Sequence, residues 1–209
     1  MKGWVLSLMG LGLAGCVSTK DLRYETANFY SKAPARVAVL AFDNQSLDLT
    51  GPELLRKMVA SSLNSRGYET VPLEKVDEKL KTLGITDGGQ LRAVTPQQVG
   101  AAMEADGLLY GDVEDFAFLN IGFAIRRIVR LHLKLVLALS GEKLWEDTGQ
   151  GLSQFLILQE KEAQRAFIEG LALREKEILF HIPLLPEAQE AVQVLLGSLP
   201  PRGAQAAPK

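Results

Sequence analysis

The spacing of apolar positions changes period twice along the chain. Arg36 to Phe42 is a short, nearly continuous apolar run, which predicts a strand buried on both faces. A polar loop follows from Asp43 to Thr50. Thr50-Gly51-Pro52-Glu53 then opens a helix, with proline in the first turn and a glutamate placed for a capping box. Leu55, Met58, Val59, Ser62 and Leu63 keep one side of that helix apolar or small up to Gly67. Tyr68 to Leu73 reads as a second strand, and Pro72, which lacks an N–H, favours an edge or a strand end. Two short helices follow, over Glu74 to Leu83 and from Thr95-Pro96-Gln97-Gln98 to about Asp106, joined by the loop Thr86-Asp87-Gly88-Gly89.

From Gly107 the period falls to two. Leu109, Gly111 and Val113 alternate with Tyr110, Asp112 and Glu114. Val129, Leu131, Leu133, Leu135, Leu137 and Leu139 alternate with Arg130, His132, Lys134, Val136, Ala138 and Ser140. Ser140 to Lys143 is a turn, and Leu144-Trp145 begins a third antiparallel strand, with Trp145 as a core or hairpin anchor. Helical spacing then returns over about Glu160 to Leu179. It returns again after Pro183 and Pro186, where Ala188, Ala191, Val192, Leu195 and Leu196 form one stripe. The expected fold is α/β. It has a mixed sheet of about five strands in the order β-α-β-α-α-β-β-β, flanked by helices, with helices at the C-terminus.

Residues 1–16 follow a different logic. Lys2 precedes an apolar stretch from Trp4 to Leu13, too short for a stable membrane span, and Leu13-Ala14-Gly15-Cys16 ends it. This segment resembles a bacterial lipoprotein signal peptide. The resemblance implies cleavage between Gly15 and Cys16, a lipid on the Cys16 sulfur and an acylated amino terminus. It also implies an outer-membrane address facing the periplasm, because Val17 rather than aspartate follows the cysteine. Gly10-Leu11-Gly12-Leu13-Ala14-Gly15 fits a dinucleotide fingerprint in letters only, since no strand-turn-helix unit surrounds it. The domain plan is therefore a signal peptide over 1–15, a tether over 16–35, one folded domain over 36–200, and a disordered tail over 201–209.

Composition narrows the function. Twenty-three basic residues stand against 25 acidic ones in 209, so nucleic acid is not an expected partner. A single cysteine and two histidines argue against a multi-ligand metal site, and no cofactor is expected beyond the lipid on Cys16. His132 and His181 have no serine elbow or H-E-x-x-H pattern beside them, and Gly88-Gly89 lacks the lysine of a phosphate loop.

Ala35 to Phe42, Gly67-Tyr68, Asp106 to Gly111 and Gly141-Glu142-Lys143-Leu144-Trp145 together resemble a family of Gram-negative envelope lipoproteins of the GNA type. That family is in turn similar to the TolB N-terminal domain and the periplasmic core of the curli secretion lipoprotein CsgG. The resemblance spans roughly residues 35–150. It implies an α/β sandwich with a role in envelope transport or assembly, and no reaction.

Two features are candidates for contact with partners. Phe116, Phe118, Ile121 and Phe123 lie on a hairpin apolar on both faces, where a solvated hairpin alternates. It is either an interface to a partner, another copy or the membrane, or core covered by the terminal helices. Arg126, Arg130 and Lys134 share a strand face with His132 and suit anionic head groups or an acidic partner. The other reading pairs them with Asp112, Glu114 and Asp115 across the sheet. The expected protein is a non-enzymatic envelope accessory or assembly factor that acts through tethering, with an envelope protein or itself as partner. A regulator of a peptidoglycan synthase and a periplasmic hydrolase are the alternatives.

Overall fold

The computed structural model describes residues 23–120, 124–156 and 184–203. The long apolar runs become a seven-stranded mixed sheet. In chain order its elements are β1 (Tyr24–Glu25), α1 (Phe29–Lys32), β2 (Arg36–Val39), β3 (Asp43–Asn44), α2 (Gly51–Ser65), β4 (Glu69–Thr70), α3 (Leu73–Thr82), a 3-10 turn (Gly88–Ala93), α4 (Pro96–Met103), β5 (Gly107–Asn120), β6 (Ala124–Leu137), β7 (Lys143–Leu156) and α5 (Leu185–Gly197). The strands lie in the order β1-β7-β6-β5-β2-β4, and β3 also pairs with β5. β2 is parallel to β4 and β5, and β3 to β5, whereas β5, β6, β7 and β1 form an antiparallel meander.

Alternation fixes the register of that meander, because a slip of one residue would turn every leucine of β6 to the wrong side. Val129, Leu131, Leu133 and Leu135 are at most 1% exposed and face α2 and α5. Leu55, Val59 and Leu63 of α2 and Ala188, Ala191, Val192, Leu195 and Leu196 of α5 complete this layer. On the other side Val76, Leu80, Val99 and Met103 of α3 and α4 close over Ala38, Leu40 and Leu108. The apolar run 36–42 is thus buried on both faces, as its composition requires. Trp145 is fully buried, and its Nε1 donates to Ser198 Oγ at 3.2 Å.

Several boundaries differ from the sequence reading. The two extra strands, β1 and β3, are two residues long, too short to show periodicity. The tether read over 16–35 ends earlier, because Tyr24 pairs with Glu146 and Phe29 is 1% exposed. A 3-10 turn occupies Gly88–Ala93, where the end of a loop and an unassigned stretch were read. α2 lacks the Thr50 capping box. Asp48 caps it instead, its Oδ1 accepting from the Thr50 and Gly51 N–H groups at 2.8 and 2.7 Å. The Thr95–Gln98 capping box of α4 is present. The start of the tail is fastened, since Arg202 N donates to Arg66 O and Tyr68 Oη to Pro200 O. The helix read over about 160–179 lies outside the described residues.

Candidate functional site: the charged face and tip of the meander

β5, β6 and β7 are each 14 residues long and run together beyond the helices of the α3–α4 layer, which pack on β2 and β5. The register places Arg126, Arg130, His132 and Lys134 on one face, as their spacing requires. Their surroundings decide what that face does. His132 sits between two carboxylates, with Nδ1 3.1 Å from Asp112 Oδ2 on β5 and Nε2 3.2 Å from Glu146 Oε1 on β7. The hydrogen bond to Asp112, reinforced by the charge of Glu146, holds the imidazole above its usual range against the opposing effect of burial. The same bond holds Asp112 below the ordinary carboxylate range. Lys143 also pairs with Glu146.

Arg130 donates through Nε and Nη2 to Gln150 Oε1 and lies 3.9 Å from Glu114. The Lys134 ammonium stands 5.3 Å from the centre of the Tyr110 ring. The basic strand is therefore matched across the sheet by Asp112, Glu114 and Glu146. Arg126 is different. It is exposed, and its register neighbours are Leu119 and Gln154, neither of them acidic.

The hairpin divides in two. Phe116 is 4% exposed and belongs to the core, because Gly51 at the start of α2 leaves room for its ring; a Cβ there would lie 2.6 Å from Phe116 Cγ. Among the described residues, α2 packs directly on its ring. Further out, Phe118, Leu119, Leu152 and Phe155 are 37–52% exposed. Phe118 and Phe155 lie on the α5 side of the sheet, Leu119 and Leu152 on the other. Ile121, Phe123 and His181 lie outside the described residues, as do Gly15 and Cys16.

An ion pair that the sequence does not announce lies beneath this end. Arg127 Nε donates to Glu187 Oε1 at 2.9 Å and Nη2 to Oε2 at 3.1 Å, while Ser153 Oγ donates to Oε1 at 2.7 Å. Burial works to raise the Glu187 carboxyl, but these hydrogen bonds outweigh it and hold the group below its usual value. The only hint in the sequence is a second arginine next to Arg126, out of phase with the exposed face.

Among the described residues no group of three or more histidine, cysteine, aspartate or glutamate side chains is arranged to hold a metal ion, and no helix is long and apolar enough to cross a membrane. A shallow groove between α2 and α5, lined in part by Lys57, Ser61, Arg66 and Gln193, lies on the side of the sheet away from His132.

Comparison with known proteins agrees with this fold. The chain is 27% identical over 146 residues to "Putative lipoprotein NMB1124/NMB1162" of Neisseria meningitidis serogroup B, covering 69% of this chain and 68% of that one. The crystal structure of lipoprotein GNA1162 from Neisseria meningitidis superposes with a TM-score of 0.53 at 22% identity, over 68% of this chain and 99% of the other. The C-terminal domain of LpoB from Salmonella enterica superposes with a TM-score of 0.41 at 16% identity, over 56% of this chain and 81% of the other. The family model described as "Putative lipoprotein GNA1162-like" matches residues 24–170, well over half of the chain, and the protein belongs to that family.

Proposed function

We propose that this protein is an outer-membrane lipoprotein whose α/β domain faces the periplasm and serves as a non-enzymatic accessory or assembly factor in envelope transport or biogenesis. The observation that carries the reading is the conjunction of Leu13-Ala14-Gly15-Cys16 with membership of a lipoprotein family through a separate stretch, residues 24–170. The two signals share no residue, so each supports the other.

In this reading the mechanism is confinement. Several acyl chains at one residue hold a domain stably at a surface, and confinement raises its effective concentration toward partners on that surface. On the β5–β7 face Asp112, Glu114, Arg130, His132 and Glu146 are engaged with one another, which supports a structural role for them over a catalytic one. A regulator that must reach through the cell wall needs a long tether. With Tyr24 already paired to Glu146, seven residues stand between Cys16 and β1, and that reading is not favoured.

Density fractionation of envelopes, combined with lysine-directed crosslinking of the full chain in living cells, tests the proposal. The expected result is sedimentation with the outer membrane and a discrete crosslinked species. Recovery with the inner membrane, or in the soluble periplasm, would overturn the address.

A further inference from the structure

Six of the large apolar side chains exposed to solvent crowd toward one end of the domain. Leu47 and Leu49 are essentially fully exposed, and Phe118, Leu119, Leu152 and Phe155 are at least a third exposed. The loop bearing Leu47 and Leu49 is firmly built. Asn44 Nδ2 donates to Asp48 O at 2.8 Å, Ser46 N to Asn44 Oδ1 at 3.0 Å, and Asp48 Oδ1 takes three donors from Thr50 and Gly51. That loop leaves β3 parallel to β5, with Gln45 N bonded to Val113 O, and returns at Gly51 against Phe116. It therefore flanks the half of the sheet that ends in the β5–β6 tip. The other apolar residues cover both faces of that tip, an arrangement suited to a medium that surrounds the end of the sheet. Exposed Arg126 lies among them beside Leu119.

The first described strand is oriented toward the same end. β1 is antiparallel to β7 with Tyr24 opposite Glu146, so the N-terminal end of β1 faces the tip. Phe155 lies nine residues beyond Glu146 along β7, about 31 Å at strand rise. The stretch from Cys16 to Tyr24 spans at most about 28 Å. Fully extended, that stretch ends about 3 Å short of the level of Phe155, so a Cys16 anchored at the head groups holds the tip at or just below that surface, and so short a tether keeps the domain against it.

We infer that the tip of the β5–β6–β7 meander, together with the Leu47–Leu49 loop, rests in the bilayer surface to which Cys16 is anchored. Apolar side chains enter the boundary between head groups and acyl chains, and Arg126 meets anionic head groups. This inference rests on lipidation of Cys16, and it adds an orientation: the tip lies down in the membrane, and the Ser140 turn at the opposite end points away.

The test uses the full lipidated protein reconstituted in vesicles of phosphatidylethanolamine and phosphatidylglycerol. Cys16 is the only cysteine and is consumed by the lipid, so a cysteine introduced as Leu119→Cys, Phe155→Cys or Leu139→Cys carries an environment-sensitive fluorophore at one known place. Leu139, 90% exposed in the turn at the far end, is the control. The expected result is blue-shifted emission from positions 119 and 155, quenched by a nitroxide on the lipid chains, with aqueous emission from 139. Aqueous emission from all three on vesicle-bound protein overturns the inference and leaves the anchor standing. A blue shift that the nitroxide does not quench also overturns it, because the tip is then buried against protein, including a second copy. Protein that fails to float with the vesicles removes the anchor itself, and the inference with it.

Discussion

Arg127 and Glu187 join the tip-side start of β6 to the first turn of α5 through two parallel hydrogen bonds in a dry setting, their side chains 9% and 3% exposed. They bridge elements 60 residues apart, so the pair fixes where the C-terminal helix begins on the sheet. Its energetic weight lies in what its loss leaves behind. A buried charge without its partner typically costs about 3–5 kcal/mol, whereas replacing both members with apolar groups can be nearly neutral.

Glu187→Ala should therefore destabilise the domain by about 3 kcal/mol, read as a lower midpoint in chemical denaturation. Adding Arg127→Met should recover a substantial part of that loss. Arg130→Ala, by contrast, removes a half-exposed pair with Glu114 and should change stability by no more than about 1 kcal/mol. Equal losses at positions 187 and 130 would contradict this ordering.

The seating of α5 on β7 makes a second prediction. A Cβ at Gly151 would lie 2.0 Å from Glu187 O, and one at Gly149 would lie 2.2 Å from Ala191 O. These neighbours are helix backbone and cannot swing aside. Gly151→Ala should therefore lift the helix and cost at least about 2 kcal/mol, as overpacked cores do. Trp145, the only tryptophan after residue 15, reports the change through its fluorescence, because its ring lies under Ser198 at the other end of the same helix. Wild-type stability in Gly151→Ala would show that α5 does not sit there.

His132 makes stability depend on pH. A neutral imidazole has one N–H, so it satisfies both Asp112 and Glu146 only when protonated. Its folded pKa is raised, so its contribution is complete below the unfolded value of about 6.5 and is lost as pH rises through the folded value. Asp112 is held low, so its share is present above about 3.9 and fades as pH falls through its own folded value. Melting temperatures of wild type should fall on the alkaline side of pH 6.5 relative to His132→Gln. Parallel curves for the two proteins from pH 6 to 9 would refute this linkage.

Tyr68 extends the argument to the C-terminal segment. Burial pushes its phenol up to about 12, against the opposing charges of Arg66 and Arg202, and its Oη donates to Pro200 O at 2.6 Å. Tyr68→Phe removes that donor and leaves a buried carbonyl unmatched. It should cost about 1 kcal/mol and raise exchange at the Leu199 and Arg202 amides, which hydrogen-exchange mass spectrometry measures. Unchanged protection there would mean the segment is held by other contacts.

Much of the fold was legible because each element carried its own chemical marking. The leucine alternation of β6 set face and register, Thr95 with Gln98 marked the start of α4, and the stripe from Ala188 to Leu196 marked α5. What escaped was decided by tertiary contact. β1 and β3 are strands only because β7 and β5 offer edges to them, and Asp48 captured the cap read for Thr50 by reaching two residues further. At the candidate site, the sharing of a face by Arg126, Arg130, His132 and Lys134 followed from period two. The clamp of His132 between Asp112 and Glu146 also needed the pairing of β7, and Arg127–Glu187 needed the helix to fold back.

The account turns on Cys16, and metabolic labelling with radioactive palmitate addresses it most directly. The wild-type chain should take up label and sediment with membranes, whereas Cys16→Ala should remain unlabelled and keep its signal peptide. A wild-type chain without label, or equal labelling of Cys16→Ala, would contradict the anchor on which the proposed role and the orientation of the tip depend.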